Sequence, residues 1–145
     1  MANLDIFLID YEIYKKNPNW RLEIIEIFLK PGIKFKLSLD KEQKNILQKL
    51  TANVNDLKII YEKNLIYLEG IINTEMIKDF ESSYKIVNGG GIDYYSPFMS
   101  LEIGENYSSA HKGSEIYLTN LREDELEKIY DITNPLNQYL KIDIS

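Results

Sequence analysis

The chain has 145 residues, 44% of them apolar and 28% charged, which suits one hydrophobic core and excludes a wholly disordered chain. Its net charge is −6, and its only arginines, Arg21 and Arg122, stand alone without a basic run, so the clustered cations that grip a phosphate backbone are missing and nucleic-acid binding is excluded. With no cysteine and one histidine against eleven tyrosines, disulfides, thiolate chemistry and a zinc centre are excluded as well.

The first fourteen residues, MANLDIFLIDYEIY, lack a positively charged start, and Asp5 and Asp10 bracket a very short apolar run. That is neither a signal peptide nor a membrane span, so a cytoplasmic protein with no membrane contact is expected. The Asn106-Tyr107-Ser108 sequon carries no weight without a secretory signal. Leu4–Tyr14 predicts a first strand, ended by Asn17-Pro18-Asn19. Trp20 follows, either as an exposed anchor or packed over a sheet edge.

Arg21–Lys30 reads as a second strand, with Ile25, Ile27 and Leu29 on one face. Ile33–Leu39 alternates Ile33, Phe35, Leu37 and Leu39 with polar residues, the clearest period of two in the chain. Pro31-Gly32 between them predicts a hairpin. Asp40 predicts a helix N-cap, with Gln43 completing a capping box and Ile46, Leu47 and Leu50 as the apolar stripe. A second hairpin, Leu57–Tyr61 with Leu65–Ile72, turns at residues 62–64.

The next helix starts at Asn73 or Thr74, carries Met76, Ile77, Phe80, Tyr84 and Val87 on one stripe, and stops at Asn88-Gly89. Pro97–Ile103 and Glu115–Leu118 predict two more strands. Leu121–Ile132 predicts a helix capped by Asn120 and ended by Asn134-Pro135, with Leu126, Ile129 and Tyr130 facing inward. Tyr139–Ile144 closes the chain as a strand. The order βββ-α-ββ-α-ββ-α-β predicts a single α+β domain over residues 1–145. Its sheet is antiparallel or mixed, with about three helices mainly on one face. The segments KFKLSLDKEQKNILQKL and EIYLTNLREDELEKIYDI share this strand–helix grammar without the matches a duplication would need.

Two loops stand out. Residues 88–97, with three consecutive glycines, match neither a dinucleotide fingerprint nor a phosphate loop. They read either as a contact loop displaying Asp93, Tyr94 and Tyr95 or as a helix C-cap leading into a strand. Residues 104–114, with Tyr107 and His111, read as a hairpin tip. His111 has Ser108 and Ser109 nearby in sequence but no evident orienting acid or oxyanion hole, so an exposed loop histidine is the plainer reading.

Asp10 with Glu12, and Glu23 with Glu26, are the carboxylate pairs open to acid–base use, though solvated faces look the same. The last helix carries Glu123, Asp124, Glu125, Glu127 and Asp131. The early ones suit its N-terminal dipole, and together they form either a solvated face or an acidic patch for a basic partner. Acidity concentrates late: the first 72 residues hold 11 basic and 10 acidic side chains, the remainder 6 and 13.

The chain therefore reads as a small acidic protein-binding domain with no cofactor, no metal and no catalytic set. Its expected partner is a basic protein, and an immunity protein or antitoxin that occludes a nuclease-like toxin domain is the concrete form. The contact residues expected are Asp93, Tyr94, Tyr95 and Tyr107 with Glu123, Asp124 and Glu127. A small carboxylate- and tyrosine-dependent enzyme and a small-molecule-binding module are the alternatives.

Overall fold

A computed structural model describes residues 2–52, 56–89 and 96–145. The described elements run β1 (Ala2–Leu8), α1 (Ile13–Lys16), α2 (Trp20–Glu26), β2 (Lys34–Asp40), α3 (Lys44–Thr51), β3 (Lys58–Glu62) and β4 (Leu65–Ile71). They continue α4 (Thr74–Gly89), β5 (Ser100–Ile103), β6 (Tyr107–Ala110), β7 (Glu115–Leu121), α5 (Glu123–Thr133) and β8 (Leu140–Ile144). The eight strands form one sheet in the order β3-β4-β2-β5-β6-β7-β1-β8. Every pairing in it is antiparallel. The class is α+β as expected; the strand order and helix number are not.

The largest correction lies at residues 21–30. Arg21–Lys30 is not a strand and makes no hairpin with Ile33–Leu39: α2 occupies its first part, and β2 pairs with β4 and β5. Trp20, Arg21, Leu22, Ile24, Ile25, Phe28 and Leu29 are all buried, while Glu23 and Glu26 are exposed. Ile24 and Ile25 are neighbours, and a strand would send them to opposite faces. A helix keeps both within one wide apolar stripe and puts Glu23 and Glu26, three apart, on the outer side.

The first strand is also shorter than Leu4–Tyr14. It ends at Leu8, the Asp10 carboxylate accepts the Glu12 amide at 2.9 Å, and the resulting turn leads into α1. Residues 107–110, expected in a loop tip, form β6, entered through Gly104 at φ +56°. The strand expected over Pro97–Ile103 begins at Ser100.

Helix starts follow the capping logic unevenly. Asn73 caps α4, its side-chain oxygen accepting the Met76 amide at 2.9 Å. Asp40 accepts the Glu42 amide at 3.2 Å and opens a short 3₁₀ turn, Lys41–Gln43, before α3. Asn120 does not cap α5. It adopts φ +52° at the end of β7, and the Glu125 carboxylate accepts the amide of the N-cap, Arg122, at 3.0 Å.

Alternation along the strands puts Leu4, Ile6, Phe35, Leu37, Leu39, Ile66, Leu68, Leu101, Ile103, Ile116 and Leu118 on one buried face. These join Trp20, Leu22, Ile46, Leu50, Met76, Phe80 and Ile129 of the helices in a single core. The helices therefore cover one face of the sheet and leave the other open. Edge-to-face rings tie the layers, Phe35 on Phe80, Phe80 on Phe98 and Tyr84 on Phe98, with centroids 5.5–5.7 Å apart. In-register pairing runs Lys58, Glu69, Lys36 and Glu102 across the open face, then Tyr117, Asp5 and Asp143 farther along. Glu69 lies 3.7 Å from Lys58 and 3.9 Å from Lys36. No helix among the described residues is long and apolar enough to cross a membrane.

Candidate functional site

The helical layer carries the candidate site. Helix α5 turns Glu125, Ile129 and Thr133 into the core, which leaves Glu123, Asp124, Glu127, Lys128 and Asp131 exposed. Glu123, Glu127 and Asp131 are spaced i, i+4 and i+8, so they form one stripe of like charge along the outer side. Arg122 partly offsets the helix start, with its Nε 3.3 Å from Asp124 and 3.5 Å from Glu125.

Helices α2 and α4 extend this negative surface. Glu23 of α2 and Asp131 of α5 line the same shallow groove beside Lys16, Asn17 and Pro135. Asn17 fixes Glu23, its amide nitrogen donating to the carboxylate at 2.9 Å. The Glu26 carboxyl is pushed up by partial burial, then by Glu81 of α4 and by Glu23, with Lys85 opposing. Asp79 is likewise raised by partial burial and by Glu75, with Lys49 opposing. In both, desolvation is the larger cause, and neighbouring carboxylates add to it against an opposing lysine.

Beneath this surface lies a buried polar hub. Tyr84 of α4 meets Ser96, hydroxyl to hydroxyl at 3.0 Å, and the Phe98 amide donates to the Ser96 hydroxyl at 3.1 Å. Arg21 of α2 is buried, stacks 4.8 Å from the Trp20 ring and donates from Nε to the Gly113 carbonyl at 2.9 Å. His111, Lys112 and Gly113 follow one another at φ +52°, +56° and +80°. Consecutive left-handed residues are costly for side chains with a Cβ and persist only when their surroundings impose them. Here the imposition is visible: the Ser96 amide donates to the Lys112 carbonyl at 2.8 Å, the Lys112 amide to the Met99 carbonyl at 3.1 Å, and the Ser114 hydroxyl to the His111 carbonyl at 2.9 Å. The hub thus fixes the chain at Ser96, close to the end of the 88–97 segment.

The sequence-predicted residues separate accordingly. Asp93, Tyr94 and Tyr95 lie outside the described residues. Tyr107 is in β6, only 2% exposed, with its ring 5.8 Å from Phe28. It is a core residue and offers a partner no contact surface. Glu123, Asp124 and Glu127 sit together on the exposed side of α5. Trp20 is buried in α2 and is not an exposed anchor.

His111 is exposed, with Nε2 3.6 Å from the Glu115 carboxylate, which in turn accepts the Tyr117 hydroxyl at 2.8 Å. Ser109 is in β6, buried on the core face of the sheet. Asp10 and Glu12 share an exposed turn, and Glu23 and Glu26 share the outer side of α2. The carboxylates that sequence reasoning left out of the acidic face were Glu23, Glu26 and Glu81 on neighbouring helices; the i, i+3 spacing of Glu23 and Glu26 was the available signal.

A groove of about 690 Å³, open to solvent, lies elsewhere, lined by Lys30, Lys34, Glu105, Asn106, Arg122 and Glu125 among others. Among the described residues no three His, Cys, Asp or Glu side chains gather as a metal ion would require. What the acidic face can do chemically is bind: it offers several carboxylates to guanidinium or ammonium groups over a broad surface. No family model, no curated protein and no solved structure matches the chain.

Proposed function

We propose that this chain is a protein-binding domain that engages a basic protein through its acidic helical layer and acts by occlusion. The concrete form is an immunity protein or antitoxin that covers the cationic substrate-binding surface of a nuclease-like toxin, both proteins meeting in the cytoplasm. The observation that carries this reading is the exposed stripe Glu123, Glu127 and Asp131 on α5, continued by Glu23 and Glu26 on α2. Like charges at i, i+4 cost a free helix roughly 0.2–0.5 kcal/mol per pair. A partner whose own lysines and arginines repel one another relieves both surfaces on contact, and the shared field speeds encounter. Blocking a phosphate-binding surface in this way needs no catalytic group, cofactor or metal on the inhibitor.

The test is capture on the immobilised full chain at low and moderate salt. The expected result is a basic protein retained at low salt and released as salt rises. The same protein should be lost when Glu123, Glu127 and Asp131 are changed together to lysine, while circular dichroism shows the triple variant folded. Retention by the folded triple variant, or capture only of neutral and acidic proteins, would sink the proposal.

A further inference from the structure

Strand β3 ends the sheet, with β4 on one side and no strand on the other among the described residues. All five of its residues are exposed, including Ile59, Ile60 and Tyr61. Natural edge strands are usually blunted by proline, a bulge or an inward charge, because their free amides and carbonyls template pairing. β3 is short and carries charge only at its ends, Lys58 and Glu62, but has no proline, bulge or inward charge: its register with β4 runs unbroken from Lys58 opposite Glu69 to Glu62 opposite Leu65. On the open face, exposed Tyr67 and Ile71 of β4 continue the apolar surface. The other edge differs, since β8 buries Leu140 and packs Ile142 on the core.

We propose that β3 is a homodimer interface, pairing antiparallel with β3 of a second copy about a twofold axis at Ile60. The sequence Lys58-Ile59-Ile60-Tyr61-Glu62 is its own antiparallel complement. In that register Lys58 stands opposite Glu62 of the second copy, twice by symmetry. Ile60 meets its own equivalent on the axis, and Ile59 meets Tyr61. Residues 58, 60 and 62 share the open face, so each lysine and glutamate meet on the same side of the joined sheet. Ile59 and Tyr61 meet on the other side as a β-branched and aromatic pair, a favourable cross-strand combination. A twofold contact requires one patch to complement itself, and this strand does so in both charge and hydrophobicity.

Sedimentation of the full chain tests this, with circular dichroism confirming that each variant folds. The wild type should sediment as a dimer. Glu62→Lys and Lys58→Glu should each weaken it by roughly tenfold or more, because symmetry converts two attractive cross-strand pairs into two repulsive ones. An equimolar mixture of the two variants should regain the dimer, since each chain then supplies the charge the other lacks, and the double variant should dimerise by itself. A wild type that is monomeric at every concentration overturns the proposal. So does a dimer that Glu62→Lys leaves intact, or a mixture that stays monomeric.

Discussion

Gly113 shows how much one position can carry. A Cβ there would stand 2.8 Å from the Arg21 Nε and 2.9 Å from the Ser96 Cβ, at a φ of +80° that suits only glycine. Gly113→Ala should therefore destabilise the domain by about 2–4 kcal/mol, combining backbone strain with overpacking against the hub, as chemical denaturation would measure. Tyr107 makes a different prediction. Burial pushes its hydroxyl up to about 12, although a bond from Ser109 and the charge of Arg21 pull it down. The unfolded chain ionises this tyrosine near its ordinary value of 10, so the folded state holds the proton more tightly. Its contribution is complete below pH 10 and is lost as pH rises toward about 12. Thermal melts should fall steeply across that window, and the fall should be shallower in Tyr107→Phe. Neither residue's role was legible beforehand. The small polar residues around Tyr107 resemble a loop, and only the pairing of β5 with β7 through β6 turns the segment into a buried strand.

At the level of elements, legibility followed periodicity. The β2 alternation and the Met76, Phe80, Tyr84 stripe of α4 were readable because each fits one period and not the other. α2 failed because its seven residues are apolar enough to satisfy both periods, and the neighbouring Pro31-Gly32 resembled a hairpin turn. The acidic side of α5 was readable as a set of residues. Its continuation onto α2 was not, because a strand at 21–30 would have split Glu23 from Glu26. The α5 stripe predicts opposed effects on folding and binding. Glu127→Lys replaces two like-charge neighbours, Glu123 and Asp131, with attractive ones, and should stabilise the free domain by about 0.5–1 kcal/mol. The same substitution should weaken capture of the basic partner. Paired denaturation and binding measurements check the two signs, and a variant that loses both stability and binding would refute the argument.

Across the whole molecule, the helices divide the surface into a carboxylate-rich layer and an open sheet of alternating charge. Composition gave the net charge but not this division, which depends on which strands are neighbours. Pairing through β3 would keep both helical layers on the same side of the joined sheet. Two acidic surfaces would then face one way, and a partner presenting two basic sites could be held by both with a gain in avidity.

The place of β1 has a further consequence, for the order in which the molecule can assemble. β1 is flanked in the sheet by β7 and β8, both of which come far later in the sequence. Until residues 115–144 leave the ribosome, Leu4 and Ile6 have no strands to shelter them. While the residues between β1 and β7 are being made, the growing chain carries an apolar segment with both edges open. Closure of the sheet there is slowed by the loop entropy of joining segments so far apart in sequence. A chaperone that holds the first ten residues would shorten the interval in which that segment can find the wrong neighbour.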